Sequence, residues 1–237
     1  MTAEASKIGI IRAGRSAVQI YPRLLTYWKL LAFVHIASYL ASEALAWQQE
    51  AVLQSGKEDL PAIFAVFAGS ALVDIFFATA WIIVVARTAQ AVLINREASA
   101  GLFSDLNSAL IESTRSMARS LRWLPVFAVP GLVKFVRLTF VPFVVVDQAA
   151  YKEGSVDALN ESERLTKNRF WKVVIALVIS TVLPSVPALL FHAENISLAS
   201  QPGLSITWSV FEFFTSLLAT AFLYCLYRQL VSQPVQT

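Results

Sequence analysis

The amino-acid sequence predicts an all-α polytopic membrane protein, and three observations carry that prediction. Of its 237 residues, 57% are apolar and only 15% are charged, against about a quarter charged in an ordinary soluble domain. The charges gather in clusters and leave long apolar stretches between them, the pattern of a chain that crosses a bilayer repeatedly. A phrase is also written twice, ALIESTR at 109–115 and ALNESER at 158–164, each time in a basic amphipathic stretch just ahead of an apolar one. A spanning sheet must close and needs alternating segments, and none are found. The expectation is one membrane domain, 1–237, with four to five membrane-crossing helices and two or three amphipathic interfacial helices.

The elements follow in order. Over 8–21, Ile10, Ile11, Ala17 and Val18 oppose Arg12, Arg15, Ser16 and Gln19, a weaker copy of the amphipathic unit, and Pro22 is expected to break the chain after it. The first apolar segment is 24–47, followed by a polar stretch; the second, 62–86, is long enough to cross about 30 Å of hydrocarbon. In the amphipathic stretch 103–122, Ala109, Leu110, Ser113, Ser116, Met117, Ser120 and Leu121 share one side, with Glu112, Arg115, Arg119 and Arg122 opposite. Serine fills much of that apolar side, which suits packing on protein as much as on lipid. The third segment, 124–146, is broken by Pro125, Pro130, Gly131 and Pro142 and carries Lys134 and Arg137. In the second copy, 155–170, Ala158, Leu159, Ser162, Leu165, Thr166 and Phe170 oppose Glu161, Glu163, Arg164, Lys167 and Asn168. The fourth segment, 171–191, ends through Pro184 and Pro187, and the fifth is 206–227.

Positive charge sets orientation. The N-terminal arm, the 87–122 connection with its five Arg, and 147–172 are basic, whereas 48–60 holds only Lys57 and 192–205 holds neither Lys nor Arg. This places the N-terminus and the basic regions in the cytoplasm, and makes the third segment begin and end on one side. A re-entrant hairpin bent at Pro130-Gly131 satisfies charge and length together; the competing arrangement has five full spans and one basic helix outside.

Over 129–175 the run Pro130-Gly131, Arg137, Phe140-Val141-Pro142, Asp147, Ala158-Leu159, Ser162, Arg164-Leu165 and Trp171 resembles a known bacterial membrane domain. It is the one found in membrane-type glycerophosphodiester phosphodiesterases and in small YciC-like inner-membrane proteins. The resemblance implies an all-helical, six-span inner-membrane protein with no agreed molecular activity. The apolar stretch before Pro130 is shorter than in those relatives, and their phosphodiesterase domain has no counterpart here, so no catalytic residue is carried over.

Charges at membrane depth are functional candidates. Asp74 lies near the centre of the second segment beside Gly69, Ser70 and Ala78. Its expected partners are Arg137 or Lys134, either as a structural ion pair or as the wall of a polar cavity. His35 shares a stripe with Ser38 and Ser42, near Glu43, and is expected to bond a neighbour on its own helix rather than to relay protons. Glu212 recurs with Thr215, Ser216, Ala219 and Thr220 on a face suited to close helix packing. Arg115, Arg119, Arg122, Arg164, Lys167 and Arg169 are candidates for contact with lipid headgroups.

One cysteine, Cys225, allows no intrachain disulfide, and His35 and His192 are far apart. Glu50, Glu58 and Asp59 lack the spacing of a metal site, and no nucleotide-binding or catalytic motif is found. No cofactor, no metal and no enzyme activity are expected, and a net charge of +3 does not point to nucleic acid. No cleavable signal peptide is visible. The sequence therefore predicts a non-enzymatic, multi-pass protein of the bacterial inner membrane. It would act as a scaffold or partner-binding subunit in contact with anionic lipids, with a membrane-protein partner or a second copy. The alternative is a transporter or lipid-handling protein using a polar site near Asp74 and Arg137.

Overall fold

The computed structural model describes residues 3–54, 60–94, 102–122, 128–190 and 200–232, and these contain helices and no strand. The expected segment ends at 124 and 191, the break at Pro125 and the loop acids Glu58 and Asp59 lie outside the described residues.

Helix α1 (Ala3–Leu24) contains Pro22 in its last turn. The backbone then tightens into a 3-10 turn, Leu25–Tyr27, where Thr26 Oγ1 donates to the Arg23 carbonyl at 2.7 Å. α2 (Trp28–Gln54) follows and continues into the first part of the stretch expected to be a polar loop, where Gln49 Nε2 donates to Ser70 Oγ on α3 (Leu60–Ile94) at 2.8 Å. At 35 residues α3 is about 52 Å long, and α10 (Pro202–Ser232), at 31 residues, is about 46 Å. Both exceed a hydrocarbon layer of about 30 Å, so a part of each must project beyond it.

Burial shows which part. Ile83, Val85, Ala86 and Ala89 of α3 and Leu217, Tyr224, Leu226 and Tyr227 of α10 are buried, all in the C-terminal halves. The N-terminal halves expose Phe64, Leu72, Ile206 and Val210. Together with Phe33, Leu40 and Trp47 of α2 and Val178 and Val182 of α9 (Phe170–Leu190), these form an apolar belt. Four helical stretches are long and apolar enough to cross a membrane: Gly9–Gln54, Ile63–Ile94, Val129–Asp147 and Pro202–Ser232; Phe170–Ser185 is apolar but shorter. The chain is a multi-pass, all-α membrane protein.

Shorter helices collar the C-terminal ends of α3 and α10, and the 129–147 stretch among them exposes Val129, Leu132 and Phe135 and extends the apolar belt. The collar helices are α4 (Leu102–Leu121), α5 (Ala128–Leu138), α6 (Val141–Asp147), α7 (Ala149–Lys152) and α8 (Ala158–Lys167). α6 is the centre: Val141 through Val146 are all buried, against α3, α4 and α8. Phe140 and Phe143 meet the ring of Tyr227 at 5.9 and 5.7 Å.

Two expectations change here. Pro130-Gly131 is not a hairpin tip. Both residues lie in the first turn of α5, where a missing N–H costs nothing because that turn has no intrahelical acceptor for it. The break comes at Thr139–Phe140, because the ring of Pro142 would collide with the Leu138 carbonyl in a continuous helix. Ser162 closes the gap, donating to the Arg137 carbonyl at 2.7 Å and accepting from the Phe140 N–H at 3.2 Å. The serine of the repeated phrase thus repairs a helix break; its counterpart Ser113 has a buried Oγ without a partner.

The amphipathic helices, expected along the membrane surface, turn their apolar sides into the protein instead. α8 buries Ala158, Leu159, Ser162, Leu165 and Thr166 against α5 and α6. α4 buries Ala109 and Ser120 and packs on α3, α5 and α6. α1 buries Ala13, Ala17, Ile20 and Leu24 and packs mainly on α10 and α3. Glu112 and Glu161, placed on the polar side by the wheel, are buried as well.

Candidate functional site

Side-chain bonds between helices α2, α3 and α10 leave a cleft inside the apolar belt. His35 Nε2 donates to the Ser209 carbonyl at 2.9 Å, so in the neutral ring Nε2 carries the hydrogen and Nδ1 remains an acceptor. Tyr39 and Ser205 share a hydroxyl–hydroxyl bond, and Trp81 Nε1 donates to Thr220 Oγ1 at 3.1 Å. The rings of His35, Trp81 and Phe213 lie 5.5 to 5.9 Å apart, and His35 and Trp81 form the floor. Above them is a cleft of about 380 Å³, whose walls include Asp74, Glu212, His35, Tyr39, Phe77 and Trp81. Among the described residues, neither lysine nor arginine lines it.

The structure therefore brings together three of the five intramembrane candidates, Asp74, His35 and Glu212, and places the other two elsewhere. Lys134 Nζ is 3.0 Å from both carboxylate oxygens of Glu163 on α8. Arg137 lies on α5, its carbonyl taken by Ser162 and Thr166 and its Nε buried without a partner. The expected site joining Asp74 to Arg137 or Lys134 is thus replaced by an acidic cleft without them, because α5 lies in the collar rather than beside the middle of α3. His35 bonds across to α10, not to its own helix. Thr215 bonds back to the carbonyls of its own helix at 3.1 Å, whereas Ser216 joins Glu212 in the cleft wall.

Beneath the cleft is a charged junction that the sequence reading missed. Asp147, at the end of α6, accepts two 2.8 Å bonds from Arg228 of α10, with Tyr224 at 3.3 Å and Gln90 of α3 at 3.2 Å. Asp105 of α4 pairs with Arg87 of α3 and, at 3.1 Å, with Lys152 of α7. The two copies of the phrase then do parallel work. Glu112 pairs with Arg115 at 2.7 Å and is reached by the Tyr151 hydroxyl at 3.5 Å. Glu161 pairs with Arg164 at 2.6 Å and is reached by Gln148 at 3.2 Å. Each glutamate grips the 148–151 segment from its own side. The available signals were Asp147 closing an apolar run and the glutamate common to both copies; helical periodicity placed that glutamate on the polar side with the arginines.

Hydrogen bonds from Arg164 hold the Glu161 carboxyl below the usual carboxylate range; burial opposes this, and Gln148 adds to it. A depressed folded value means that this stability is present in full above the ordinary glutamate range, about pH 4.3, and lost as pH falls through the folded value. Thermal midpoints measured in detergent from neutral pH to about pH 3 are expected to fall steeply below that range in the wild type. The fall should be shallower in Glu161→Gln, and an identical slope in both would show that Glu161 contributes nothing to acid unfolding.

The headgroup candidates divide. Arg115 and Arg164 are held by Glu112 and Glu161, and Arg119 lies 3.6 Å from Glu163. Arg169 donates to the Leu230 carbonyl at 2.9 Å and so caps the end of α10. Arg122 and Lys167 are exposed and make no ion pair with a described side chain.

No family model matches the chain, and no curated protein or solved structure matches it either.

Proposed function

We propose that the protein is a non-enzymatic carrier of the bacterial inner membrane that takes up protons, or a cation in their place, at the Asp74–His35–Glu212 cleft. One observation supports the reading most: two carboxylates and a histidine from three helices line a single cleft that, among the described residues, holds no lysine or arginine. Carboxylates inside an apolar span are expensive, and membrane proteins retain them chiefly where protons or ions pass. The polar pairs Tyr39–Ser205 and Gln49–Ser70 lead from the cleft toward the N-terminal ends of α3 and α10, away from the charged collar. By the positive-inside rule the collar and the N-terminus are cytoplasmic, so the cleft opens outward. The likeness of 129–175 to a bacterial inner-membrane domain fits that placement, and Arg122 and Lys167 would meet anionic headgroups.

The test is proton flux in proteoliposomes carrying an internal pH dye, driven by a potassium diffusion potential. Wild-type protein is expected to acidify the lumen, and Asp74→Asn and Glu212→Gln each to abolish the signal. Flux no faster than in protein-free liposomes, or unaffected by both substitutions, overturns the reading.

A scaffold or partner-binding role is the second reading. It is favoured by Ala71, Asp74 and Ala78, which are exposed along one face of α3, where small residues permit close approach of another helix. A stoichiometric membrane protein that co-purifies with the wild type and is lost in Ala71→Leu would favour it.

A further inference from the structure

We infer that the cation accepted by this cleft is a small organic ammonium, with an apolar body and a primary or quaternary nitrogen, rather than an inorganic ion. The inference rests on the carrier reading and names its cargo.

Size is the first argument. A cleft of about 380 Å³ has room for on the order of ten waters, far more than a bare proton or sodium ion requires, and lies within the range of small-molecule sites. Geometry is the second. Among the described residues no three His, Cys, Asp or Glu side chains are placed to share a metal ion, so Asp74, Glu212 and His35 ring the space without converging on a point. A ligand that touches them all must therefore be extended.

The walls supply the third argument. Tyr39, Phe77 and Trp81 line the same cleft as the two carboxylates. Trp81 is fixed in place by its bond to Thr220 and by the His35 and Phe213 rings, so its indole is preorganised. Aromatic faces attract cations, tryptophan most strongly, and also bury the carbon surface of an organic one. An inorganic ion gains little from such walls because it must shed its water to use them. Carboxylates beside aromatic faces recognise a nitrogen cation that carries carbon.

The experiment uses the purified full chain in detergent, with benzyltrimethylammonium as the probe and isothermal titration as the readout. Binding is expected at sub-millimolar concentration and should survive added sodium chloride at equal ionic strength. Asp74→Asn is expected to weaken it at least about tenfold, and Phe77→Leu or Trp81→Phe about fivefold to thirtyfold. Phe77→Leu keeps the measurement decisive if the Trp81 variant fails to fold. No binding by wild-type protein that still carries protons in liposomes overturns the inference and leaves the carrier reading intact. Binding lost in Asp74→Asn but unchanged in Phe77→Leu and Trp81→Phe also overturns it, because the site would then be a carboxylate site for any cation. Binding that depends on both kinds of residue, in a protein that moves no protons, sinks the carrier reading and leaves the ligand class standing.

Discussion

Asp105→Asn is expected to cost about 3–5 kcal/mol of folded stability. Arg87 and Asp105 face each other with side chains only 10% and 6% exposed. With the carboxylate gone, the guanidinium stays buried with only the Gln90 carboxamide at 3.2 Å, and Lys152 loses its partner too. The reverse change should cost less, because Arg87→Met leaves Asp105 beside Lys152 at 3.1 Å. Replacing both members by apolar residues, Arg87→Met with Asp105→Leu, is expected to recover much of the loss, since a buried ion pair exchanged for packed hydrocarbon is often neutral. Thermal unfolding of Arg87→Met, Asp105→Leu and the double, followed by circular dichroism in detergent, measures the coupling. Strictly additive losses would show that the pair is not coupled.

Phe143→Ala is expected to cost a comparable amount, about 3–5 kcal/mol. Phe143 is 1% exposed at the middle of α6, with the rings of Phe140, Tyr224 and Tyr227 at 6.2, 5.7 and 5.7 Å. Its neighbours belong to long helices tied at several other points, so they cannot collapse into the space. Phe143→Leu fills most of the volume and should lose clearly less. Equal losses for both variants would mean that ring contacts, and not volume, set the cost.

The all-α membrane fold was legible because apolar periodicity and charge clustering are properties of the chain alone. Helix ends were not. Segments 62–86 and 206–227 proved to be parts of α3 and α10, since hydropathy registers the lipid-facing length and is blind to a helix that continues beyond the bilayer. Arg87 and Gln90 read as an ending, yet they are helical because Asp105 and Asp147 wait beside them. Pro130 and Pro142 send the same signal on paper, but Pro130 sits in the first turn of α5, where no intrahelical bond is lost, and Pro142 follows the break at Thr139–Phe140. In the site, Asp74, His35 and Glu212 were each visible as polar groups in apolar stretches. Their meeting was not visible, because it depends on the pairing of α2 with both α3 and α10. Matching Asp74 to Arg137 balanced charge without knowing depth, and the other expected partner, Lys134, is held by Glu163 on α8.

The bonds of Asp147 to α3 and α10, with Trp81 to Thr220 above them, make those two helices a fork with a clamped handle and two tines. Above Thr220 no hydrogen bond among the described residues joins the tines to each other; α2 straps them, through Ser205 and Ser209 on one and Ser70 on the other, and Tyr21 of α1 also holds the Phe214 carbonyl at 3.1 Å. From Thr220 to Leu204 is about 24 Å of helix, so a pivot of about 5° at the clamp moves the tip roughly 2 Å. The mouth of the cleft thereby has more room to move than its clamped floor, and how wide it gapes is governed by how firmly α2 and α1 hold it.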